Sequence, residues 1–197
     1  MTTQLILASS SPRRAEILTQ VGLRFVVRAP SVDEAVRPWE DPEDYVQRMA
    51  LEKARVPDER ALPRLAADTV VVHRGIIFGK PQGREHGLEA LSALCGDVHT
   101  VLTAVAVWFK GELRLKMSCS RVLLRSSNKE ELEAYWRTGE PQDKAGGYGL
   151  QGVGGVLVER VEGSPTGIAG LPLCEAIQLL REVDVQVWNS RPDGNCT

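Results

Sequence analysis

Leu5-Ile6-Leu7-Ala8-Ser9-Ser10-Ser11-Pro12-Arg13-Arg14 compresses a strand, a turn and a helix start into one short segment. The apolar run reads as a buried strand, and three hydroxyls follow it directly. Pro12 suits the first helical position, where its missing N–H costs nothing. Ser11 is then the expected N-cap. Ile17, Leu18 and Val21 recur at helical spacing, and Gly22 stops the helix. One turn therefore gathers free backbone N–H groups, the positive end of a helix dipole, three hydroxyls and two guanidiniums. That is chemistry for holding a polyanion such as a phosphate chain. An ordinary capped helix with two solvated arginines accounts for the same residues, and this segment alone does not separate the two readings.

Outward from this segment, strands and helices alternate. Phe25–Arg28 reads as a second strand, followed by a loop carrying Asp33-Glu34. Asp41-Pro42-Glu43-Asp44 is a helix start, with an N-cap, Pro at N1 and acids in the first turn. That helix ends near Lys53-Ala54. Leu65–Val72 is an apolar run fit for a central strand, interrupted by Asp68-Thr69, and His73-Arg74-Gly75 turns it into a short return strand, Ile76–Phe78. A helix from Arg84 to Leu94 stops at Gly96. Val98–Trp108 and Leu113–Leu124 flank Lys110-Gly111 as a long hairpin.

Ser127-x-x-Glu130 has the form of a capping box for a helix through Tyr135 and Trp136. A glycine-rich loop, Gly139–Gly155, leads into a strand at Val156–Val161, and Leu171-Pro172 opens a last helix through Leu180. The tail from about Asn189 to Thr197 is expected to fray. The pattern predicts an α/β fold: one domain over residues 1–197, a mixed twisted sheet with flanking helices, and a cleft between two lobes.

Composition narrows the partners. With 197 residues, 43% hydrophobic and 25% charged, the chain can bury a real core beneath a soluble surface. A formal net charge of −2 argues against a general nucleic-acid binder. Positive charge for a phosphate ligand must then be concentrated locally, with Arg13, Arg14, Lys53, Lys80 and Lys144 as candidates. The four cysteines form no C-x-x-C pair, which argues against zinc and for a reducing cytoplasm. The sequence shows neither a signal-peptide pattern nor an apolar run of membrane-spanning length, so a soluble protein with no membrane partner is expected.

Four further places break the local pattern. Asp68 lies within an otherwise apolar strand, and an isolated carboxylate is costly to bury unless paired, hydrogen-bonded or bound to metal. A strand-end cap is the plain alternative, but a base or metal role explains Asp68 and Thr69 together. Lys53 stands at a helix end where the dipole favours lysine anyway. Lys80, in Gly79-Lys80-Pro81, sits at a loop entrance within reach of an anion. Asp143-Lys144-Ala145-Gly146-Gly147-Tyr148-Gly149-Leu150-Gln151-Gly152 is neither a Walker loop nor a dinucleotide fingerprint. Its glycines permit close backbone approach to a ligand, and the Gln151 amide can read a base edge. A mobile surface loop is the rival reading.

Ala8-Ser9-Ser10-Ser11-Pro12-Arg13-Arg14, Asp33-Glu34, Glu52-Lys53-Ala54, Ala67-Asp68-Thr69, Lys80-Pro81, Asp143-Lys144-Ala145-Gly146 and Gly170-Leu171-Pro172 stand in the order seen in the Maf family. The resemblance covers about Leu5 to Val183. It implies a cytoplasmic nucleoside triphosphate pyrophosphatase with a fold similar to inosine triphosphate pyrophosphatases. Arg13, Thr69 and Gln151 resemble the branch acting on dTTP and UTP rather than the branch acting on 7-methyl-GTP. The resemblance implies that Ser9, Arg13 and Arg14 hold the phosphate chain, that Thr69, Lys144 and Gln151 bind substrate, and that Lys53 and Lys80 act with Asp68 in catalysis. It also implies a divalent cation, Mg²⁺ or Mn²⁺, on Glu34 and Asp68.

The chain departs from the family at Gly83, where an acid is frequent two residues after the Lys-Pro pair, and at Cys95, where serine is common. Two other functions fit the same motifs: a broader house-cleaning pyrophosphatase for modified nucleotides, and a nucleotide-binding regulator of septum formation. Related folds often form homodimers, and the strands between Val98 and Leu124 offer a face for one.

Overall fold

The strand β3 (Arg64–His73) organises the molecule, whose computed structural model describes residues 2–187. Along one edge, β3 pairs antiparallel with β5 (Val98–Phe109), in register from Arg64↔Trp108 to Val72↔Thr100. Two short strands share its other edge. β1 (Leu5–Leu7) runs parallel beside Arg64 and Leu65, and β4 (Ile76–Phe78) runs antiparallel beside Val71–His73. Between them Ala66–Val70 faces no strand on that edge among the described residues, and the sheet forks.

β2 (Phe25–Val27) adds parallel to β1, while β6 (Glu112–Leu124) and β7 (Val158–Glu162) continue antiparallel beyond β5. The order β2-β1-β3-β5-β6-β7, with β4 on β3, makes an open seven-stranded mixed sheet of the kind expected. The parallel pairs need crossovers. The helix α1 (Pro12–Gln20) joins β1 to β2, and α2 (Pro42–Ala54) joins β2 to β3.

Alternation along β3 and β5 divides the core between two faces. Leu65, Ala67, Val105 and Val107 pack with Ile17 and Leu18 of α1 and with Leu179 and Leu180 of α6 (Leu173–Arg181). Ala66, Val70, Leu102 and Ala104 pack with Val46, Met49 and Ala50 of α2. Beyond the fork, Val71, Val101 and Val122 meet Leu91 and Leu94 of α3 (Arg84–Leu94) and Leu132 of α4 (Lys129–Arg137). Two packed lobes thus share the long strands, with the cleft between them. Among the described residues no helix is long and apolar enough to cross a membrane.

Several local expectations change. Asn128, not Ser127, caps α4: its side chain accepts from the N–H of Glu131, and Ser127 instead meets the Arg125 guanidinium. Shifting the cap one residue keeps the S/T/D/N chemistry but removes the predicted box. Ser11 occupies the N-cap position of α1, yet its hydroxyl makes no capping bond. The glycine-rich region holds three short 3₁₀ turns, Glu140–Asp143, Ala145–Gly147 and Val153–Leu157, so β7 starts at Val158 rather than Val156. A short helix α5 (Pro165–Ile168), capped by Ser164, was not expected. The tail from Asn189 lies outside the described residues.

Candidate active site

The fork in the sheet opens on a cleft of about 990 Å³, lined by the start of α1, the Glu34 loop, α2, β3, Lys80 and the glycine-rich turns. That is at the upper end for a small-molecule site and ample for a nucleotide. Asp68 and Thr69 lie in the stretch of β3 that, among the described residues, pairs with β5 alone, and as strand neighbours they project to opposite faces.

On the α2 face, the Lys53 ammonium lies 2.7 Å from Asp68 Oδ1 and 2.7 Å from Glu34 Oε1. Lys53 is 6% exposed and Asp68 8%, so the buried Asp68 charge is met by Lys53 and the Lys53 charge by Asp68 and Glu34 together. The Tyr45 hydroxyl donates to the Glu34 carbonyl at 3.0 Å and fixes that loop. Burial pushes the Glu34 carboxyl up, but the hydrogen bond and charge of Lys53, with Lys80 and Arg14, outweigh it and hold it below the usual range. Asp33 takes no part; it accepts from the N–H of Ala35 at 3.0 Å.

On the other face Arg14 spans three partners. Its Nε donates to the Gly170 carbonyl at 2.8 Å, Nη1 to Ser9 Oγ at 3.1 Å and Nη2 to Thr69 Oγ1 at 3.5 Å. Burial lowers its pKa and the nearby Asp68 carboxylate opposes that, yet a guanidinium stays charged in a protein. Ser9 Oγ also accepts from the N–H of Ser11 at 3.1 Å. Thr103 Oγ1 lies 2.8 Å from the Gly167 carbonyl and 3.1 Å from Thr69 Oγ1. A carbonyl only accepts, so the Thr103 proton goes to Gly167 and the Thr69 hydroxyl donates to Thr103.

Arg13 pairs with Asp143 at 3.3 Å, across from α1 to the glycine-rich region. Lys144 Nζ donates to Asp143 Oδ1 at 2.7 Å and to the Glu140 carbonyl at 2.8 Å, so its charge lines the cleft already partnered. Lys80 stands exposed at the rim, and Gln151 lines the cleft from an exposed bend. Ser9, Arg13, Arg14, Glu34, Lys53, Asp68, Thr69, Lys80, Lys144 and Gln151 therefore border one cavity, whereas Asp33 does not. Tyr45 and Glu140 join them without any sequence signal beyond their types, Gly170 joins them from the Gly170-Leu171-Pro172 motif, and Thr103 stands behind Thr69.

The fit to a divalent cation follows from the donor set. Among the described residues no three His, Cys, Asp or Glu side chains cluster as a metal cage. A Mg²⁺ on a triphosphate commonly takes only one or two protein carboxylates, the rest being phosphate oxygens and waters. Glu34 and Asp68, converging on one cation already, suit that smaller role.

The model of Maf-like proteins matches residues 4–183. The chain belongs to the Maf family. Its Maf relatives include a dTTP/UTP pyrophosphatase of Alkalilimnicola ehrlichii, 49% identical over 189 residues that span 92% of this chain and 93% of the relative. A dTTP/UTP pyrophosphatase of Methylococcus capsulatus is 47% identical, covering 91% of each chain. That of Hahella chejuensis is 44% identical, covering 94% of this chain and 95% of its own.

Proposed function

We propose that this Maf protein hydrolyses dTTP and UTP to the monophosphate and pyrophosphate. The observation that carries the reading is the buried Lys53 ammonium shared by Glu34 and Asp68 beside a cluster of phosphate-binding groups. An acceptor carboxylate surrounded by cations suits attack on a polyanion. The relatives named dTTP/UTP pyrophosphatase support the choice of pyrimidine triphosphates.

In this reading Ser9, Arg13, Arg14 and the uncapped N-terminus of α1 hold the phosphate chain. A water attacks the α-phosphorus, and the bond from that phosphorus to the bridging oxygen of the β-phosphate breaks. Asp68 accepts the proton of the attacking water. Lys53 and Lys80 offset the charge that develops on the departing pyrophosphate. Thr69, Lys144 and Gln151 meet the nucleoside, with the Gln151 amide paired to the base edge. Glu34 and Asp68 would hold a Mg²⁺ or Mn²⁺ ion, which when bound supplies further charge neutralisation at the phosphates. The reading carries a cytoplasmic setting and a homodimer as expectations that fractionation and sedimentation would check.

Replacing Asp68 by Asn tests the base. Turnover of UTP falls roughly 10²–10⁴-fold while nucleotide binding persists. Undiminished turnover removes Asp68 from the chemistry, and a nucleotide-binding regulator would keep its cellular effect in the same variant.

A further inference from the structure

Gln151 sits in a stretch whose backbone is tied on both sides to two side chains that the mechanism does not use. Two residues before it, the N–H of Gly149 donates to the Tyr135 hydroxyl at 3.2 Å. Two and three residues after it, the N–H groups of Val153 and Gly154 donate to Glu140 Oε2 at 2.7 Å and Oε1 at 3.0 Å. The Tyr135 hydroxyl closes the knot by donating to Glu140 Oε1 at 3.0 Å. Every proton is accounted for: the phenol has one to give and gives it to the carboxylate, while accepting from Gly149.

The glycines are cut to this knot. A Cβ on Gly149 would lie 2.7 Å from Glu140 Oε1, one on Gly152 2.2 Å from Glu140 Oε2, and one on Gly154 2.3 Å from the Tyr135 oxygen. None of the three has a left-handed φ, so room for Glu140 and Tyr135, and not an unusual turn, is what excludes a side chain there. Burial pushes the Glu140 carboxyl up, but the two backbone N–H groups, the Tyr135 hydroxyl and Lys144 outweigh it and hold it below the usual range. An ionised carboxylate already accepting three hydrogen bonds is a brace, poorly placed to act as a base.

We infer that Glu140 and Tyr135 are positioning residues for base selection, holding the Gly149–Gly154 backbone so that the Gln151 amide meets a uracil or thymine edge. A primary amide carries a donor and an acceptor side by side. On a backbone free to shift, it complements cytosine as readily as uracil. Selectivity therefore depends on the tether as much as on the amide. The inference rests on the reading of Gln151 proposed above.

Steady-state kinetics on UTP, dTTP and CTP separate the two. Glu140→Gln keeps the shape but turns an amide N–H₂ toward a backbone donor. It should raise KM for UTP by about tenfold, the size of one well-made hydrogen bond, with kcat within about threefold and the UTP-to-CTP ratio falling toward that of Gln151→Ala. Tyr135→Phe removes a single oxygen and should move the same ratio less, which keeps the test alive if Glu140→Gln folds poorly. In a Gln151→Ala background, Glu140→Gln should change the ratio little. An unchanged ratio in folded Glu140→Gln and Tyr135→Phe overturns the positioning role, as does a fall in kcat at constant KM. If instead Gln151→Ala itself leaves the ratio unchanged, the reading of Gln151 fails and the positioning role falls with it.

Discussion

Lys53 is the side chain on which the electrostatics of the cleft turn. It separates two carboxylates that would otherwise face each other, and it is slightly more buried than Asp68. Lys53→Met leaves Asp68 charged and unpartnered. Breaking a buried pair costs on the order of 3–5 kcal/mol, and the exposed position of Glu34 sets the expectation at about 3 kcal/mol. Urea unfolding should show that loss, and Lys53→Met combined with Asp68→Asn should recover part of it; additive losses would mean that the pair is not coupled. Asp68 was legible in the sequence because a carboxylate in an apolar strand needs a reason. Lys53 was not distinctive on its own, since helix ends favour lysine. Glu140 gave no signal at all: an acid after a glycine and before a proline looks like any solvated turn, and its partners Val153 and Gly154 lie outside local pattern.

The helices α3 and α4 close the far lobe, and their contact depends on a missing side chain. A Cβ on Gly87 would lie 2.1 Å from Trp136 Cζ3. In an exposed helix, Gly→Ala stabilises by up to about 1 kcal/mol, but overpacking costs about 1–3 kcal/mol. Gly87→Ala should therefore destabilise, and a raised melting temperature would contradict the packing. Most elements were legible because their signals are local: Pro12 and Pro42 at helix starts, the Lys110-Gly111 turn between the runs of β5 and β6, Gly22 and Gly96 at stops. The short helix α5 escaped because Ser164-Pro165 reads equally as a turn, and the cap of α4 slipped because Ser127 and Asn128 are both good N-caps. The 3₁₀ turns at Ala145–Gly147 and Val153–Leu157 hid in the glycine run because close packing of Gly146 on Val71, of Gly152 on Glu140 and of Gly154 on Tyr135 shapes that run, not sequence preference.

The whole fold places its chemistry at the gap left on β3 between β1 and β4. No local pattern reveals that gap, because it depends on which distant strands share an edge. The same architecture buries His99 against Tyr148, with Nε2 2.8 Å from the phenol oxygen. Burial, followed by the nearness of His73, pulls the His99 pKa down to about 4, with Asp97 opposing. In the unfolded chain it titrates near 6.5. Between those values the unfolded state binds the proton and the folded state does not, so stability falls as pH drops from about 6.5 to about 4. His99 contributes up to about 3 kcal/mol of that slope. Urea unfolding of wild type and His99→Gln between pH 7 and 4.5 should show a shallower pH dependence in the variant; parallel curves would contradict it.

The central claim concerns which bond this cleft breaks and on which base. Product analysis on UTP, dTTP, CTP, GTP and 7-methyl-GTP with Mg²⁺, for wild type and Asp68→Asn, addresses it most directly. The account predicts UMP or dTMP with pyrophosphate in equal amounts from wild type, weak turnover of the other three, and a steep loss in Asp68→Asn. Release of orthophosphate with a nucleoside diphosphate, or equal turnover of all five nucleotides, would contradict it.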